Sequence, residues 1–175
     1  MNDAVNELED GGESENNADD EIRLMRRYHL GAIAEESAGL ESLLRGVFAS
    51  LLGSPRATVV AAGQSVTWLA DNALAIIDTN DEVRGPSLGD PEKVARFRAA
   101  IKQCGDLYKR RNQLIHGAWF DGDAALTQLR SKWRQPLAFA VEVQVEEIEG
   151  LAEELNKASG ELMAAIFEVK GILAE

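Results

Sequence analysis

Twelve residues from Lys109 to Phe120, K-R-R-N-Q-L-I-H-G-A-W-F, gather three cations, amide side chains, a histidine and two aromatic rings. A histidine exchanges a proton near neutral pH and can serve as acid or base toward a hydroxyl. An arginine offers a planar fork of donors to phosphate oxygens and never deprotonates. The chemistry within reach of such a set is phosphate binding with proton transfer, and neither side chain requires a metal. A helix end is the competing explanation. Cations in a last turn favour the negative end of the helix dipole by roughly 0.3–1 kcal/mol each, and a glycine such as Gly117 ends a helix. That explanation covers Lys109, Arg110 and His116. It does not cover an arginine on an apolar stripe.

The stripe belongs to a helix opened by Asp90-Pro91-Glu92, an N-cap, a first-turn proline and an acid facing the dipole. Val94, Phe97, Ile101, Cys104, Tyr108 and Ile115 recur along one face. Arg111 falls inside that arc, Asn112 and His116 on its flank, and Arg110 on the opposite, solvated face. An inward guanidinium is costly unless it meets an acceptor or lines a cleft.

Three further helices and a small sheet are expected to carry this one. A first helix from about Glu21 to Leu52 shows the stripe Ile22, Met25, His29, Ile33, Leu40, Leu44, Val47 and Leu51, with His29 as a packed core residue. Gly53-Ser54-Pro55 ends it and opens a second, from about Arg56 to Ile77, with Val59, Gly63, Val66, Ala70, Ala73 and Ile77 inward and small enough for close helix approach. Residues 78–90 read as a loop by composition. After Gly117 the period changes to two. Leu137 to Val145 alternate as a half-buried strand, and Thr127 to Arg134 as another whose one face carries Gln128, Arg130, Lys132 and Arg134. Residues 118–145 are thus expected as an antiparallel β-meander. A last helix, about Glu146 to Leu173, buries Ile148, Leu151, Leu155, Ala158, Leu162, Ile166, Val169 and Leu173. The fold class is mainly α, a four-helix bundle with a small antiparallel meander inserted before the last helix.

Charge is segregated along the chain. Residues 1–21 carry nine acids and no base, and read as a disordered acidic tail before a domain over 22–175. Residues 93–134 carry ten bases against three acids, whereas 142–175 carry nine acids against two bases. A net charge of −12 disfavours nucleic-acid binding, but the central block would leave a local basic surface. A single cysteine, Cys104, excludes an internal disulfide and fits a reducing, cytoplasmic setting. The start, M-N-D-A-V-N-E-L-E-D, lacks the pattern of a signal peptide, and no apolar run has membrane-spanning length. No metal-ligand cluster, phosphate-cradling glycine motif or Ser-His-acid set is recognisable, so no cofactor is expected.

The run R-N-Q-L-I-H-G, with four residues between Arg111 and His116, resembles the signature of the HEPN superfamily. The position of the run at the end of a long helix, before a short meander, is similar to that family's. The resemblance implies a homodimeric, metal-independent endoribonuclease in which two copies of the motif face one cleft. It implies that His116 moves a proton at a ribose 2′-OH to give a cyclic phosphate, that Arg111 contacts the scissile phosphate, and that Asn112 assists. It also implies RNA as substrate and, for toxins of the family, a nucleotidyltransferase-like antitoxin as partner. Lys109, Arg110, Arg130, Lys132 and Arg134 are candidates to extend the RNA-binding surface. Trp119 either stacks a base or seals the meander onto the bundle; for Trp133 the sealing role is favoured. The rival reading is a catalytically silent module of the same fold that binds a partner or a second copy, with Arg111 and His116 in a structural hydrogen-bond network.

Overall fold

The computed structural model describes residues 12–54, 56–84, 88–122, 125–130 and 139–169. Its elements are α1 (Gly12–Leu52), α2 (Ala57–Ala61), α3 (Val66–Arg84), α4 (Pro91–Ile115), β1 (Ala118–Gly122), β2 (Ala125–Arg130), β3 (Phe139–Val143) and α5 (Val145–Glu168). The protein is mainly helical, with a three-stranded antiparallel sheet of order β1-β2-β3 inserted before the last helix.

The helix carrying the motif forms as its sequence dictates. The side chain of Asp90 accepts from the backbone N–H of Glu92 at 2.9 Å, and Pro91 occupies the first turn. Val94, Phe97, Ile101, Cys104 and Tyr108 are buried, and Leu107 and Leu114 widen the buried arc. On α5, Ile148, Leu151, Leu155, Ala158, Leu162, Ile166 and Val169 are all buried. Leu173 lies outside the described residues. Each buried Val, Leu or Ile side chain contributes about 1.5–3 kcal/mol when fully withdrawn from water. Arg110 pairs with Glu154, Arg96 with Glu168 at 2.6 Å, and the Cys104 thiol lies 4.0 Å from the Ala158 carbonyl oxygen. Numbers on the two helices run in opposite senses, so α4 and α5 are antiparallel. Arg98 reaches both Asp78 and Asp81, and Gly105 lies against Ala70, so α3 and α4 are antiparallel as well.

Four expectations are corrected. First, α1 begins at Gly12, so residues 12–20, expected as disordered tail, are helical. Extending a helix already nucleated by its packed half costs far less than starting one. Residues 1–11 lie outside the described residues. Within α1, Met25 is 46% exposed and Arg26, at 8%, takes the inward position instead.

Second, the expected second helix is two. α2 ends at Ala61, the chain turns through Gly63 at φ 76°, and the Ser65 hydroxyl caps α3 by accepting from the Trp68 N–H at 3.1 Å. Positive φ suits glycine and breaks the helix there. Val59 is consequently 75% exposed, while Val66, Ala70, Ala73 and Ile77 are buried.

Third, residues 78–84 are helical rather than loop, as Asp78 and Asp81 both bond Arg98 of α4. Fourth, the face of β2 that was expected to be basic points inward. Leu126 and Gln128 are buried, and Gln128 is paired across the sheet with Trp119 and Val141, which pack on the same core.

Candidate functional site

The end of α4 is held by side chains that reach its unpaired carbonyls. A helix leaves its last C=O groups without internal partners. Here the Leu114 carbonyl oxygen accepts from Gln128 Nε2 at 2.7 Å and from Trp119 Nε1 at 3.2 Å. Gln128 Oε1 in turn accepts from Arg130 Nε at 2.7 Å. His116 is the C-cap, with φ −96° and ψ 0°, and its N–H donates to the Asn112 carbonyl at 3.1 Å. Gly117 follows, without positive φ. It is required by space: a β-carbon there would lie 2.2 Å from Gln128 side-chain atoms. The sequence pointed to a helix-ending glycine; the actual demand comes from a strand eleven residues on.

Arg111 is half-buried on the stripe, as expected. Its Nη1 donates to Asn112 Oδ1 at 3.1 Å, and its Cζ lies 5.2 Å from the centroid of the Tyr108 ring. Its Nε is buried and has no partner among the described residues. Arg111 is therefore gripped by an amide and an aromatic face, both uncharged. Asn112 joins the motif: its side chain holds Arg111 and its backbone carbonyl holds His116. The His116 side chain is exposed. Positions 111 and 116 lie about 140° apart around a helix at about 100° per residue, so the two residues start from different faces at the end of α4.

The other candidates behave differently. Lys109 pairs with Asp106 at 2.9 Å, and Lys102 reaches the same carboxylate at 3.5 Å. Hydrogen bonding to Lys109 pulls the Asp106 carboxyl below the usual carboxylate range, and the same contact raises Lys109. Arg110 is exposed on the solvated face, as expected, and is also bonded to Glu154. Among the described residues the basic block is thus largely matched by acids from its own helix, α3 and α5, and offers less unpaired positive surface than its sequence implies. Trp119 is half-buried, its indole N–H is used by Leu114, and the Arg26 guanidinium lies 5.6 Å from its ring centroid. It seals the sheet onto the bundle. Arg130 is half-buried and directed by Gln128. Lys132, Trp133 and Arg134 lie outside the described residues.

Sequence reasoning missed Gln128, Arg26 and Tyr108 as parts of this end of the molecule. Gln128 carried one signal, a non-ionic residue in an otherwise basic alternation. Two shallow depressions, of 180 and 290 Å³, lie toward the other end of α4, lined by Val94 and Arg98 and by Ala99 and Glu168. Among the described residues no three His, Cys, Asp or Glu side chains converge, and no helix is long and apolar enough to cross a membrane. No protein-family model, curated protein or solved structure matches the chain.

Proposed function

We propose that the protein is a metal-independent endoribonuclease of the HEPN kind, acting as a homodimer with Arg111, Asn112 and His116 of both copies around one cleft. The observation that carries this reading is the state of Arg111. Lys109, Arg110, Arg96 and Arg98 are matched by carboxylates, whereas the described partners of Arg111 are neutral, and its Nε–H is unused. A guanidinium so held keeps its full charge for an oxyanion. The exposed His116 stands five positions further on. It takes the proton of a ribose 2′-OH, the 2′-oxygen attacks the adjacent phosphorus, the bond to the 5′-oxygen breaks, and the proton returns to that departing oxygen. Positions 111 and 116 stand on different faces within one chain, so this reading requires a second copy to complete the site.

The test is cleavage of single-stranded RNA by the purified protein in EDTA. Cleavage with a cyclic phosphate end is expected, and His116→Ala is expected to lower the rate by about 10²–10⁴-fold. His116 is exposed, so that variant should fold normally. A His116→Ala protein as fast as wild type overturns the reading.

A second reading, a catalytically silent partner-binding module, is favoured by one observation. Leu24 and Tyr28 of α1 are 68% and 71% exposed, one helical turn apart. Under it, no RNA is cleaved, and Leu24→Asp weakens self-association or partner capture.

A further inference from the structure

The polar contacts around Arg111 continue past the motif into α1. Its guanidinium lies on the ring of Tyr108, and the Tyr108 hydroxyl donates to Glu41 Oε2 at 2.8 Å. The other oxygen of Glu41 accepts from Arg45 Nη2. One carboxylate is therefore engaged by two donors, a phenol and a different arginine. Tyr108 therefore touches both groups, Arg111 through its ring and Glu41 through its hydroxyl. An ion pair between Arg111 and Glu41 would spend the cation. Tyr108 instead gives its hydroxyl to Glu41 Oε2 while its ring carries the Arg111 guanidinium.

We propose that Tyr108 and Glu41 are positioning residues for Arg111: the Glu41–Arg45 pair anchors the phenol, and the phenol carries the guanidinium while keeping the carboxylate off it. The proposal rests on the reading of Arg111 as a phosphate contact. It assigns α1, through Glu41, a part in setting a cation that α4 carries. Burial, with the Glu41 hydrogen bond and charge added, pushes the Tyr108 phenol above its ordinary range, so the ring stays neutral at working pH.

The test compares wild type with Glu41→Ala and Glu41→Gln. The amide of the second still accepts the phenol hydroxyl. Arg111→Lys assigns the Arg111 Nε–H resonance by its disappearance from the ¹H–¹⁵N spectrum. In wild type this buried N–H is expected to exchange slowly with water. In Glu41→Ala it should exchange faster, and kcat for RNA cleavage should fall by about tenfold to a hundredfold, as displacement of a positioned group does. KM should stay within about twofold, because the rest of the RNA contact surface is untouched. Glu41→Gln should restore both readouts toward wild type. An Arg111 Nε–H signal unmoved in shift and exchange by Glu41→Ala overturns the proposal, whether or not the protein cleaves RNA. A fully active His116→Ala protein would instead sink the nuclease reading, and the resonance would still decide the positioning role.

Discussion

Gln128, wholly buried in the middle strand, donates its amide N–H to the carbonyl oxygen of Leu114 at 2.7 Å, one residue from the end of α4. A sheet residue thus supplies the partner that a helix terminus lacks. Replacing it with leucine keeps the volume but leaves Leu114 only the Trp119 donor, and it strips Arg130 Nε of its acceptor. A cost of about 1–3 kcal/mol is expected for the groups left unsatisfied, read as a lower urea midpoint. Gln128→Glu should cost more at neutral pH, since a carboxylate would face a carbonyl oxygen. That excess should shrink at acid pH, where a protonated glutamic acid again donates. An excess independent of pH would mean that the Leu114 contact is not what the glutamine provides.

Gly117 and Gln128 form a second test, because their conflict is purely steric. A β-carbon at 117 would meet the Gln128 side chain at 2.2–2.4 Å. Gly117→Ala should therefore destabilise by about 1–3 kcal/mol, as overpacking does. Gln128→Ala removes the obstructing atoms, so the double variant should be less destabilised than the sum of the two singles. Strict additivity in thermal melts would show that the glycine is needed for its backbone instead.

Legibility in the sequence followed the range of the causes. The start of α4 was readable because its cap, proline and acid are adjacent residues acting on their own backbone. Its buried arc and that of α5 were readable because a helical stripe is a local pattern. The alternation over Phe139–Val143 was readable for the same reason, with Val143 buried and Glu142 exposed. The break at Gly63 was missed although its causes, a glycine turn and the Ser65 cap, are local; the other misses depended on distant partners. Asp78 and Asp81 look like loop residues until Arg98, seventeen to twenty positions on, holds them on a helix. Gln128 sits in a polar row that looks solvent-facing, and only the orphan carbonyl of Leu114 makes inward the better direction. At the site, the inward slant of Arg111 was legible, but the neutral character of its grip was not, since Tyr108 is anchored from α1 by Glu41.

Cys104 offers a probe of the core. Burial pushes its thiol up to about 12. The reactive species is the thiolate, so the folded protein should resist alkylation by iodoacetamide at pH 8 and react only through opened molecules. The linkage has a definite sign. The folded state holds the proton more tightly than the unfolded chain. The associated stability is complete below the unfolded thiol's pKa, declines as pH rises through it, and is lost toward about 12. Cys104→Ala should flatten that alkaline decline relative to wild type in denaturant titrations at pH 7 and pH 10.

The pairing of Arg110 with Glu154 makes the last prediction. Single-strand binding weakens with salt at a slope of about −0.7 per phosphate neutralised, and a cation already matched by a carboxylate releases few counterions. If RNA passes the end of α4, Arg110→Ala should leave both affinity and salt slope nearly unchanged. Glu154→Ala, by freeing the same guanidinium, should tighten binding of a non-cleavable 2′-O-methyl oligonucleotide and steepen the slope by up to about 0.7. Arg110 and Glu154 are both exposed at this contact, so neither change should shift the melting temperature much. Combining them should return binding to the wild-type value, because the cation that Glu154→Ala releases is then absent. Tighter binding that survives in the double variant would trace to removal of a negative charge from α5 and not to the release of Arg110.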